Sequence, residues 1–113
     1  MSPPAGNPDD ARNALFDAAL EFGANWRRDI GELAAERLPD VALAERSALA
    51  EEIKQTRAAI EHWIESRWDS VRGEWSRGDA EAAEDFIVTT YPWMSAENVS
   101  HAVSQGTYYA WHG

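Results

Sequence analysis

Apolar residues recur at helical spacing along most of the chain. Leu15, Ala19, Phe22, Trp26, Ile30 and Leu33 follow steps of 4-3-4-4-3 residues, which places them on one side of an α-helix. Leu49, Ile53, Thr56, Ile60, Trp63, Ile64, Trp68, Val71 and Trp75 repeat the pattern further on. Such a stripe must be covered by other helices. Only Phe86 to Tyr91 favours a strand, and no second strand is available to pair with it. The run is therefore expected to be helical, and the chain all-α.

Caps and breakers divide the helices. Asn7, Pro8, Asp9 and Asp10 read as a helix start, with an N-cap, a proline at the first helical position and two carboxylates at the positive end of the dipole. Residues 1–6, with Pro3, Pro4 and Gly6, are expected to be a flexible tail ahead of a single helical domain over 7–113. The first helix is expected to reach about Arg37, where Leu38-Pro39 ends it and Asp40 caps the next. A second helix from about Val41 to Trp75 would be roughly 50 Å long. A domain of this size has a radius of gyration of only about 13 Å, so this helix either breaks near Ser47 or reaches beyond its own domain. Gly78 and Asp79 mark the next boundary, giving a third helix over about Ala80–Thr90. Ser95 caps a fourth that runs to about Trp111, with a possible break at Gly106. Two long and two shorter helices with short connections pack naturally as an antiparallel helical bundle.

Charge narrows the partners. The net charge is −10, which opposes DNA, RNA and anionic membranes. Residues 79–113 hold five acids, no Lys or Arg, and two of the three histidines. A basic protein partner suits that asymmetry, and so does a requirement for solubility. The absence of cysteine excludes disulfides and thiolate chemistry. No apolar segment follows Met1 as a secretion signal, so the expected location is the cytoplasm.

Catalytic motifs are missing. The positions three before His62, His101 and His112 are Ala59, Asn98 and Tyr109, so the Glu-x-x-His of carboxylate-bridged bundles does not occur. Nucleophile elbows and phosphate-cradling glycine loops are absent too. The chain reads as a non-enzyme that needs no cofactor and no structural metal.

Two constellations remain as binding candidates. On the last helix Glu97, His101, Ser104, Tyr108 and His112 form one polar-aromatic stripe, opposite Val99, Ala102, Val103, Gly106 and Ala110. Trp93 and Trp111, with Tyr91 and Tyr109, add amphipathic aromatics there, either as interface anchors or as core plugs. On the second long helix Glu61, Glu65 and Asp69 make a like-charge row, solvated or facing arginines such as Arg27 and Arg28 or those of a partner. Six tryptophans are many for a thin bundle to bury, which predicts self-association, most simply a homodimer. The sequence therefore supports a non-enzymatic interaction module, an adaptor, regulator or inhibitor of a basic protein, binding through Glu97, His101, Tyr108, Trp93, Trp111, Glu61, Glu65 and Asp69. The alternative is a small-molecule or metal-binding bundle, with Glu97, His101 and Tyr108 lining the site.

Overall fold

The computed structural model of the chain describes residues 8–20 and 28–112. They form five helices: α1 (Pro8–Leu20), α2 (Ile30–Arg37), α3 (Leu43–Ser70), α4 (Arg77–Thr90) and α5 (Ala96–His112). No strand occurs among the described residues, and no helix among them is long and apolar enough to cross a membrane. The chain divides into two compact units, Met1–Gln55 and Thr56–Gly113, and the division falls inside α3. The expected tail, residues 1–6, lies outside the described residues.

The all-α class holds, but the first long helix does not. Where one helix to Arg37 is expected, α1 and α2 are separate. Asp29, just before α2, has φ −57° and ψ 128°, and its carboxylate accepts from the Glu32 N–H at 3.1 Å. That is an N-cap, so a new helix begins there. The apolar period continues from Ile30 because α2 needs a buried face of its own, and periodicity alone does not reveal the restart. In the first unit Leu15, Phe16, Leu20, Leu33 and Ile53 are fully buried, with Ile30 and Ala34 beside them. The stripe members Phe22 and Trp26 lie outside the described residues. Arg12 ties α1 to the first part of α3, its Nε donating to Glu52 Oε2 at 2.8 Å and its Nη1 to Asp9 Oδ1 at 3.2 Å.

α3 runs through Ser47 without a break. It opens later than Asp40 would place it, its first turn closed by the Arg46 N–H donating to the Ala42 carbonyl at 2.8 Å. It also ends earlier, at Ser70 rather than Trp75. The Gly73 N–H reaches back to the Trp68 carbonyl at 3.0 Å and the Arg72 N–H to Asp69 at 3.1 Å. Arg72 and Gly73 both hold positive φ, 55° and 77°. This pairing is a Schellman stop.

In the second unit the next boundary shifts for a similar reason. Ser76, not Asp79, is the N-cap of α4, and Asp79 is its partner three residues on in a reciprocal capping box. Gly78 thus lies within the first turn of α4 rather than ending the preceding helix. The β-prone run is helical: Ile87 is fully buried while Val88 is 55% exposed, so packing on one face overrides local propensity. Tyr91 leaves the helix ahead of Pro92. Ser95 caps α5 through its hydroxyl, which accepts from the Asn98 N–H at 3.2 Å. α5 passes Gly106 unbroken. A Cβ at Gly106 would stand 2.5 Å from Ile64 Cδ1, so the glycine lets α5 approach α3 closely. Ile60, Ile64, Ala83, Ile87, Met94 and Val99 fill this unit's core.

Candidate functional site

Four aromatic rings form a connected chain in the second unit. Trp63 on α3 stacks on Phe86 of α4 with centroids 5.2 Å apart and planes 12° from parallel. Phe86 meets Tyr91 edge-on at 6.4 Å, and Tyr91 meets Trp93 at 6.3 Å. All four are half-buried, so each keeps part of its ring at the surface. The Arg67 guanidinium lies 5.9 Å from the Trp63 ring centroid, within cation–π range. Burial raises the Tyr91 phenol above its ordinary pKa, because a poorly solvated site disfavours the phenolate.

Arg67 is held in place from below. Its Nε donates to Asp79 Oδ1 at 2.8 Å, and the other Asp79 oxygen accepts from the Ser76 backbone N–H and hydroxyl, both at 2.9 Å. These bonds, led by that of the Ser76 N–H and followed by that of Arg67, hold the Asp79 carboxyl below its usual range. Asp79 is buried at 6% exposure. The N-terminal cap of α4 therefore also fixes the cation that covers Trp63.

The expected binding residues divide among three places. Glu97, His101, Tyr108 and His112 share the outer face of α5, with Val99, Ala102, Val103 and Gly106 buried on the inner one. Near its end Tyr108 and Trp111 flank His112, with ring centroids 4.2 and 4.3 Å away. Trp93 belongs instead to the aromatic chain. Glu61, Glu65 and Asp69 occupy another flank of α3: residues two apart point roughly 200° apart around a helix, which separates Glu61 from Trp63 and Asp69 from Arg67. Arg28, one candidate partner for that row, pairs with Glu36, and Arg27 lies outside the described residues.

The tryptophans correct a further expectation. None of those described is buried: Trp63, Trp68, Trp75 and Trp93 are half-buried and Trp111 is 68% exposed. Trp111 is thus no core plug. Trp75, beyond the end of α3, folds back and stacks on Trp68 at 5.9 Å. Aliphatic residues fill the core because they interdigitate at native density more easily than indoles.

Trp63, Arg67 and Phe86 were not among the expected binding residues, whereas Tyr91 was named only as an accompanying aromatic. Part of the signal was available, since Trp63 and Arg67 are four apart on one helix face. The Trp63–Phe86 stack was not, because it joins residues of two helices. Among the described residues no three His, Asp or Glu side chains gather to hold a metal ion. No protein family, curated protein or solved structure matches this chain.

Proposed function

We propose that this chain is a non-enzymatic, self-associating interaction module that binds a basic protein through an acidic and aromatic surface of its second unit. The observation that carries this reading is the half-buried chain Trp63–Phe86–Tyr91–Trp93, three of whose rings belong to residues 79–113, a stretch that has no Lys or Arg. Partly exposed Trp and Tyr rings offer large apolar area at little entropic cost and dominate interface energetics. Beside them on α4, Glu81, Asp85 and Val88 follow a 4-3 spacing and are all exposed. A partner segment rich in arginine meets carboxylates on that stripe and ring faces next to it. Arg67 over Trp63 is an internal example of the same contact. In this reading α4 and α5 are the antiparallel arms of a helical hairpin that presents the surface, and the acid row Glu61, Glu65 and Asp69 steers the partner from a distance.

The test is a Trp-fluorescence titration with a synthetic arginine-rich amphipathic helix as probe. Binding is expected to weaken at least tenfold between about 0.05 and about 0.3 M salt. Trp93→Ala should weaken it at fixed salt, and the pair Glu81→Arg and Asp85→Arg should abolish it. Affinity insensitive to salt and to the charge reversals would refute the reading.

A further inference from the structure

One guanidinium already lies on the aromatic surface. Arg67 stands with its Cζ 5.9 Å from the centre of the Trp63 ring, and its Nε donates to Asp79 Oδ1 at 2.8 Å. The two charged partners differ in depth: 7% of the Asp79 side chain is exposed, against 40% of the Arg67 side chain. The carboxylate is therefore the floor of the contact and the guanidinium its solvent-side cover. Asp79 does not depend on Arg67 alone, because its other oxygen accepts from the Ser76 N–H and hydroxyl, both at 2.9 Å. Among the described residues, Nε is the one nitrogen of the Arg67 guanidinium that donates a hydrogen bond. A group with several donors is thus held by one bond and one ring face, both of which another guanidinium can use in the same way.

We propose that the Trp63 ring face and Asp79 Oδ1 form an arginine-specific subsite, and that Arg67 is its resident occupant, displaced by an arginine of the basic partner. This rests on the reading of the second unit as a surface for a basic protein, and it names the side chain that the surface selects. Arginine fits for a geometric reason. Its flat, weakly hydrated guanidinium lies on an indole while an edge N–H reaches a carboxylate, whereas a lysine ammonium is a compact, strongly hydrated point charge that cannot stack. The exchange also conserves charge: one guanidinium leaves Asp79 as another arrives, so the buried carboxylate is never left without a cation. In the free protein Arg67 keeps the Trp63 ring covered. The subsite is open only in the fraction of molecules in which Arg67 has swung out, and the apparent Kd for a partner rises by the inverse of that fraction. Arg67 is thereby a gate that a segment offering arginine opens and a segment offering lysine does not.

Two measurements on the full chain test it. The first needs no partner. Arg67→Ala vacates the subsite, and about 20 mM ethylguanidinium should then raise Tm by about 2–4 °C by binding the folded state. Ethylammonium at the same concentration should give less than half of that rise. The wild type, its subsite filled, should show no rise with either ion, and adding Asp79→Asn to Arg67→Ala should remove the rise. The second measurement compares the arginine-rich probe helix with a version carrying lysine at every arginine. The wild type should prefer the arginine version by about fivefold or more, a readout that requires no variant. In Arg67→Ala that preference should widen by a further factor of about three or more, because the gate is gone; loss of the Arg67 charge alone acts on both versions alike and leaves their ratio unchanged. A Tm that does not rise selectively with ethylguanidinium overturns the subsite. So does equal binding of the two versions by the wild type, and so does a preference that Arg67→Ala leaves unchanged or narrows. If neither version binds either protein, the basic-partner reading fails, and the ethylguanidinium shift still decides on the subsite by itself.

Discussion

Arg72 and Asp79 show how much individual residues decide here. Arg72 sits in the left-handed region at φ 55°, which an L side chain enters at a cost of about 1 kcal/mol and glycine enters freely. Arg72→Gly should therefore stabilise the protein by about 0.5–1 kcal/mol, a gain reduced by the extra freedom it gives the unfolded chain; chemical denaturation measures it. Asp79 has the opposite character. Its carboxyl is held below the ordinary value of 3.8 by the Ser76 N–H and Arg67. A depressed carboxyl contributes stability that is present above the unfolded value and is lost as pH falls through the folded one. Asp79→Asn is thus expected to lower Tm at pH 7, with the deficit shrinking as pH drops below about 4. A deficit equal at pH 7 and at pH 2.5 would show that the carboxylate charge contributes nothing to the cap.

At the level of elements, α5 depends on the space left at Gly106. A methyl there meets Ile64 Cδ1 at 2.5 Å, and Ile64 is fully buried. Overpacking a closed core costs about 1–3 kcal/mol, more than the roughly 1 kcal/mol that alanine gains over glycine in a helix. Gly106→Ala should destabilise the wild type but be neutral or stabilising on an Ile64→Val background, which removes the obstructing carbon. A double-mutant cycle by urea denaturation checks this coupling. The same pair explains what the sequence reveals and what it withholds. The inner face of α5 was legible from spacing, and Val99, Ala102, Val103 and Gly106 are buried as expected, while Ala110 is only half-buried. The start of α5 at Ser95 was legible from its side chain. The division before α2 was not, because Ile30 and Leu33 continue the apolar period of α1 across the Asp29 cap. The end of α3 was hidden as well: Trp75 sits on the helical period yet belongs to the segment after the turn. Period reports burial, and caps report breaks. Where the two conflict, backbone hydrogen bonding decides.

Among the described residues the tryptophans and tyrosines keep part of their rings at the surface, while aliphatic side chains and Phe16 fill the interior. That division was the least legible feature, since indole and isoleucine count alike in a hydrophobic stripe. Of the expected binding residues, those on α5 do share a face, Trp93 joins a ring chain that the sequence did not assemble, and Glu61, Glu65 and Asp69 lie on a flank of their own. Side chains brought together by α3 and α4 packing, Trp63 on Phe86 above all, carry no local signature. In the proposed reading, a surface built this way, acidic and ringed, holds another protein. The most direct test is native mass spectrometry of the protein isolated gently from its own source. The account predicts additional mass from a second, basic polypeptide that dissociates as salt is raised. A chain that carries instead a metal ion or small organic molecule, and no second polypeptide at low salt, would contradict it.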